Sequence, residues 1–375
     1  MAGCDDIAIQ EGRAGARLIA VGDLLLPAGP HGLAASRDMS LAFAGVREAL
    51  AAGDIVFGNL ECTLPGDGSM VPTEPRVIST PEMVRAIQPA GFHVVSLANN
   101  HAFDCLQPGF HSLRSLLDEM GIAHFGAGDD LRQAAAPAIL EAHGIRVAFL
   151  GVADERSGAG PFASADHWGV APLDLDRLTG QIRELRGNVH HVVVSPHWGE
   201  ERFLIPSPEQ VELARSLVDA GASMVLGHHP HVLQGLELHQ GRTIIYSLGN
   251  FVACEVPYAN GDAVRWNRTE RTGCLLTAEL IGDAIRDVRQ HPTHDDGTRI
   301  RLDESPLGRR RIATVNRAIR YGITPARYRR EHLSVKTICP IMQHLRWPDS
   351  RPPRFQDVLR IVRRLMHYRT NSRRA

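Results

Sequence analysis

Between residues 17 and 300 the chain repeats one texture: a short β-branched apolar run, a loop, then a segment with a helical period. That alternation marks a layered α/β fold. Six runs carry it: RLIAVGD (17–23), DIVFGNLE (54–61), HVVSLANNH (93–101), IRVAFLGVAD (145–154), HHVVVSPHWG (190–199) and ASMVLGHHPH (222–231). Most are too continuously apolar to have a wet face, so they are predicted to be buried central strands. Helices are predicted over 40–53, 80–91, 109–121 and 207–221, the last opened by Ser207, Pro208 and Glu209 and closed by Gly221. After residue 232 apolar and polar positions alternate around QG and GD turns, which predicts antiparallel hairpins. Residues 312–330 and 355–369 have the period of two short basic amphipathic helices, separated by the Pro-rich RWPDSRPPR.

Five of the six predicted strands end in polar residues able to bind a ligand. These are Asp23, Glu61, Asn100 with His101, His197, and the trio His228, His229 and His231. In an open α/β sheet, sites form just beyond the carboxyl ends of the strands, so residues distant in sequence converge there. Taken singly, Asp23 and Asn100 read equally well as turn caps, Glu61 as a solvated carboxylate and His197 as a core histidine. The run GHHPHV favours metal, because three imidazoles within four residues at the end of a buried strand need partners. Imidazole nitrogen with carboxylate and amide oxygen, and no thiolate, suits Mn, Fe, Zn, Ni or Mg, and hydrolytic chemistry at two divalent ions. His190 and His191 begin their strand and are assigned a structural role.

Composition narrows the class. With 43% hydrophobic, 22% charged and 5% aromatic residues the 375-residue chain is globular, neither disordered nor collagenous, and long enough for a full core and an appendage. The first twenty residues carry acids in place of a basic and apolar leader, and no run approaches the ~18 apolar residues of a membrane helix. Six scattered cysteines fit reduced thiols, so the expected location is the cytoplasm. The formal net charge of -1 hides an asymmetry: residues 309–375 hold 18 Lys plus Arg against three acids, about +15, and residues 1–308 hold 23 bases and 39 acids, about -16. The expected organisation is therefore an N-terminal extension (1–16), a main domain (17–308) and an Arg-rich extension (309–375) that either packs on the acidic body or meets a polyanion.

The ordered motifs GDLLL, FGNLE, SLANNHAFD, SPHWGEE, GHHPHVLQGLE and IIYSLGNFV closely resemble the CapA family of poly-γ-glutamate capsule synthesis proteins, within the calcineurin-like metallophosphatase superfamily. The resemblance covers roughly residues 17–300. It implies a four-layer α/β/β/α sandwich with a dinuclear metal centre at one end of its two sheets. It also implies Asp23, Glu61, Asn100, His197, His229 and His231 as metal ligands. His101 would be the catalytic group that donates a hydrogen bond or proton without binding metal, and Asp104 or His228 would be an additional ligand filling in for a missing imidazole. Three positions depart from the phosphatase pattern: Leu25 stands where Asp-x-His has its histidine, Glu61 where the bridging acid is usually aspartate, and Ala102 where an acid often follows Asn-His.

The function so implied is poly-γ-glutamate or related γ-glutamyl peptide biosynthesis by a metal-dependent, hydrolase-type enzyme acting on a phosphoester or amide of an anionic substrate. The alternative is a non-catalytic accessory protein of a synthase or export complex that binds an acidic polymer, or a synthase partner, through its basic tail. The tail has few aromatics and no recognition motif, which argues against nucleic acid.

Overall fold

The computed structural model describes residues 15–29, 35 and 39–338. Fourteen strands form two sheets: β1 (Ala16–Leu25), β2 (Ile55–Leu60), β3 (Val94–Ser96), β4 (Ala123–Phe125), β5 (Ala138–Ala142), β6 (Ile145–Ala153), β7 (His191–His197), β8 (Met224–Leu226), β9 (Leu233–His239), β10 (Arg242–Leu248), β11 (Asn250–Ala253), β12 (Thr272–Ile281), β13 (Ala284–Asp295) and β14 (Ile300–Leu302). The first sheet has the order β14-β13-β12-β1-β2-β3-β4, and the second the order β9-β10-β8-β7-β6-β5. Parallel pairing joins β1 to β2 to β3 to β4 and, in the other sheet, β6 to β7 to β8 to β10. Antiparallel strands border both parallel blocks, including the two expected hairpins, β9–β10 and β12–β13.

Three apolar clusters fix the layering. Leu18, Phe57, Phe149, Val193, Leu226 and Leu276 fill the space between the sheets. The outer face of the first sheet is covered by α1 (Arg47–Ala51), α2 (Pro81–Arg85), α3 (Ile87–Ala90) and α4 (Leu106–Glu119), through Leu50, Val84, Ile87 and Leu113. Against the other outer face lie α5 (Leu175–Leu185) and α6 (Pro208–Asp219), through Leu178, Ile182, Ala214 and Leu217. The result is the expected α/β/β/α sandwich. The start of α6 is the one read from sequence: Ser207 accepts from Gln210 N, and the Gln210 side chain accepts from Ser207 N at 2.9 Å, a capping box.

Midway along β1 its neighbour changes. Over Ala16–Ala20 the strand pairs with antiparallel β12; from Asp23 to Leu25 the same edge pairs with parallel β11. The exchange brings Gly22 so close to Gly249 that a Cβ there would lie 1.7 Å from the Gly249 carbonyl oxygen, so only glycine fits.

Two compact units divide the described chain at residues 323 and 324. The boundary expected at residue 309 falls inside α7 (Pro306–Arg320), which belongs to the first unit. The physical reason is hydrophobic. Ile312, Val315 and Ile319 are buried, and Ile312 and Val315 join the cluster between the sheets. Asn316 Oδ1 accepts from Leu236 N at 2.8 Å, tying α7 to β9. The charge asymmetry concealed a helix that docks through its apolar stripe. In the second unit α8 (Pro325–Leu333), capped by Thr324, buries no side chain. The single helix expected over 312–330 is thus two, parted by Gly322 at φ 77° and by Pro325. Residues 1–14 and the helix expected over 355–369 lie outside the described residues. Among the described residues no helix is long and apolar enough to cross a membrane.

Candidate metal centre

Register places the first polar residues. Asp23 lies opposite Asn59 on β2 and Asn250 on β11, so three polar side chains stand abreast at the carboxyl edge of the first sheet. Glu61 follows Asn59 by two residues and is likewise fully buried. From the second sheet come His197, the last residue of β7, and the segment after β8, whose His228 makes a parallel bridge to His197. His229 and His231 both have positive φ, 94° and 56°, a backbone that β-carbon-bearing residues adopt at a cost. This strained turn brings three imidazoles to one edge.

The side chains meet in two groups of three. Glu61, His197 and His229 form one, and Asp23, Glu61 and His231 the other; within each, candidate donor atoms lie within 4.8 Å of one another. Glu61 is common to both. Its Oε1 is 3.8 Å from His197 Nε2 and 3.6 Å from His231 Nε2, and has no hydrogen-bond partner. His228 Nε2 and His229 Nδ1 are likewise buried and without a hydrogen-bond partner, whereas Asp23 Oδ2 lies 3.2 Å from His231 Nδ1. Buried polar atoms rarely remain without a partner, and an unpartnered Glu61 oxygen standing between two sets of nitrogen and oxygen donors fits divalent cations.

Around these atoms other groups fix orientation. Asn59 Nδ2 donates to Asp23 Oδ1 at 2.9 Å and to Glu61 Oε2 at 3.2 Å, and its own Oδ1 accepts from Asn99 Nδ2 at 3.2 Å. His231 Nδ1 donates to Asn250 Oδ1 at 2.9 Å, which turns Nε2 toward Glu61, and Asn250 is held in turn by the Glu270 carbonyl. The Trp266 ring lies 5.2 Å from that of His231. Asn100 Oδ1 meets His197 Nε2 at 2.9 Å.

His101 and Asp104 form a pair of their own. His101 Nδ1 is 2.7 Å from Asp104 Oδ2, the oxygen that also accepts from Val77 N. Asp104 therefore holds His101 and belongs to neither three-residue group. His228, the other additional candidate, is also outside both groups, with Nδ1 3.1 Å from Asp23 Oδ1 and its ring edge-on to Phe57.

Burial dominates the electrostatics. It pushes the Glu61 carboxyl up to about 8, although His231 pulls the other way. Burial works to raise Asp23 too, but the His228 and His231 imidazoles hold it well below the usual carboxylate range. His229 is driven down to about 4 by burial and by His231, and His197 falls well below its ordinary value through burial and His229. Against burial, Asp104 lifts His101 and the carboxylates of Glu61 and Asp23 hold His231 up at about 10. Glu201 faces the same cluster: despite burial, His231 and His229 keep its carboxyl below the ordinary range.

Sequence reasoning did not single out Asn59, Asn99, Asn250, Glu201 or Trp266. The strand period of two puts Asn59 on the face of Glu61, and Asn250 follows the apolar run of β10 as Asp23 closes the apolar run 17–23, so two of the five carried a readable signal.

With this geometry in place, comparison with known proteins is decisive. Residues 17–255 match the model of the family described as bacterial capsule synthesis protein PGA_cap. The chain belongs to that family. Among its curated relatives, "Capsule biosynthesis protein CapA" of Bacillus anthracis is 36% identical over 230 residues, covering 60% of this chain and 50% of that protein. "PGA biosynthesis protein CapA" of Bacillus subtilis (strain 168) is 33% identical over 235 residues, 62% of each. A "Probable polyglutamine synthesis accessory protein" of Mycobacterium tuberculosis (strain ATCC 25618 / H37Rv) is 34% identical over 212 residues, 54% of this chain and 56% of that one. The match to this family's CapA members thus spans about half to just under two thirds of their length.

Proposed function

We propose that this PGA_cap family member is a metal-dependent, hydrolase-type enzyme with a dinuclear centre, acting on an anionic γ-glutamyl substrate in acidic-polymer synthesis or processing. One observation carries the reading: two three-residue donor groups, drawn from both sheets, share the buried and unpartnered Glu61 oxygen. Asp23, Glu61 and His231 would hold one cation, and Glu61, His197 and His229 the other, with Asn100 beside His197. Bound there, two divalent ions would supply Lewis acidity and acidify a water toward neutral pH. The chain's own residues supply the rest. Asp104 fixes His101 through Nδ1, so Nε2 is the nitrogen presented to substrate, and the raised pKa of His101 suits it to donate a proton or hydrogen bond. The two sheet edges seat this chemistry among buried side chains, where donated hydrogen bonds count for more than in water.

The test is turnover by purified protein of γ-glutamyl oligomers and phosphodiesters, with and without Mn²⁺. We expect metal-dependent cleavage, and a fall of roughly 10²-fold or more for His101→Asn with metal content unchanged. The name of the mycobacterial relative favours a second reading, a non-catalytic accessory protein whose metal is structural. That reading prevails if no substrate turns over and His101→Asn retains biological function.

A further inference from the structure

Helix α7 has two unlike faces. Ile312, Val315 and Ile319 are buried against the sheets, whereas Arg309, Arg310, Ala313, Thr314, Arg317 and Arg320 are exposed along the opposite side. The helix contains five arginines and no acid. Arg309 is paired with Glu304 at 3.3 Å, and Arg311 donates to the Arg268 carbonyl at 2.7 Å and to Thr272. Among the described residues no carboxylate lies within ion-pair distance of Arg268, Arg310, Arg317 or Arg320. On a chain whose body is acidic, a ridge in which Arg310, Arg317 and Arg320 have no carboxylate partner among the described residues is conspicuous.

The ridge leads somewhere. Arg311 grips the turn of residues 266–272, and that turn borders the candidate metal centre. Its Trp266 lies against His231, its Glu270 carbonyl holds Asn250 beside His231, and its Arg268 is exposed. Arg268 and Arg311 are close enough for like-charge repulsion to add to burial in lowering the Arg311 pKa. Arg268 thus adds a cation on the turn that borders the centre, next to Arg311 of α7, with the Asp303 carboxylate near both. From Arg310 to Arg320 the helix rises about 15 Å at 1.5 Å per residue.

We propose that Arg268 and the arginine face of α7 form a track that binds a linear polycarboxylate, a γ-glutamyl chain, and leads it to the metal centre. The proposal rests on the γ-glutamyl reading of that centre. A flexible chain with one carboxylate per residue matches a single file of guanidinium groups separated by small side chains, each able to take a carboxylate bidentately. The face offers no aromatic side chain before Tyr321, whereas single-stranded nucleic acid is held largely by stacking.

The experiment is fluorescence anisotropy of a fluorescein-labelled γ-glutamyl oligomer long enough to span α7. The full chain is used, in EDTA so that binding is independent of metal. We expect Arg310→Gln/Arg317→Gln/Arg320→Gln to weaken binding about tenfold and to flatten its salt dependence, with an unchanged urea midpoint. Replacing the same three residues by lysine, which keeps the charge but cannot take a carboxylate bidentately, should restore the salt dependence and only part of the affinity. A triple Gln variant that binds within twofold of wild type overturns the track, as does a single-stranded DNA of equal charge that binds more tightly and loses as much. Metal content, measured separately, shows whether the centre itself stands.

Discussion

Because Glu61 alone belongs to both donor groups, substitutions at the centre should separate by number of ions lost. An ion present at about 100 times its Kd stabilises the folded state by about 2.7 kcal/mol, so two contribute about 5 kcal/mol. Even groups that merely orient a ligand cost 10–100-fold in affinity when removed, so loss of a ligand itself is expected to cost at least 100-fold. At the same metal concentration the damaged site then contributes only about 0.4 kcal/mol. His229→Ala damages only the group with His197, and Asp23→Asn only the group with His231, so each should retain one ion and roughly half of the Mn²⁺-dependent stabilisation. Glu61→Gln should lose both. The assay pairs plasma mass spectrometry for stoichiometry with urea unfolding in EDTA and in Mn²⁺. A Glu61→Gln protein that still gains about 5 kcal/mol refutes the shared-carboxylate geometry, as does a His229→Ala protein that loses both ions.

Three further outcomes follow from packing and burial. Gly22→Ala should destabilise the chain by roughly 3 kcal/mol or more in urea unfolding, because its Cβ meets a backbone oxygen that cannot retreat without parting β1 from Gly249. Ile312→Ala should cost roughly 2–3 kcal/mol by the same assay, the lower part of the range for large-to-small core changes, since it packs between the sheets at 8% exposure. His191, whose ring nitrogens are buried and unpartnered, is driven by burial from 6.5 down to about 4. A depressed folded-state value means that the unfolded chain binds the extra proton, so its contribution is complete above pH 6.5 and is lost as pH falls toward 4. At 1.36 kcal/mol per pH unit the loss is at most about 3 kcal/mol, and His191→Leu should flatten the acid limb of stability measured against pH.

Much of this arrangement was readable because two periodicities and one topological rule agree. Continuous apolar runs predicted buried strands, and the polar residues at their ends had to converge if those strands were parallel in two facing sheets. Asp23, Glu61, His197, His229 and His231 come together for that reason. What escaped depends on register and on competition between signals. Asn250 faces Asp23 only because β1 changes partner, an exchange that no local pattern announces. Asp104 had looked like a replacement ligand, but the turn of residues 101–104 folds it back onto His101. In α7 the stripe Ile312, Val315 and Ile319 was present in the sequence, yet the five arginines around it dominated the reading and put the domain boundary in its midst.

The exchange of neighbours along β1 also determines where the chain can be cut. The family match ends at residue 255, before β12 and α7 begin. A fragment ending there would keep the candidate metal-binding side chains, but the first half of β1 would lose the strand that pairs with it over Ala16–Ala20. It would present an open hydrogen-bonding edge flanked by Leu18 and Ile19, the kind of surface that recruits other chains into aggregates. The unit of inheritance seen by sequence comparison is therefore shorter than the unit of folding, and an expression fragment or fusion partner should be bounded at residue 323.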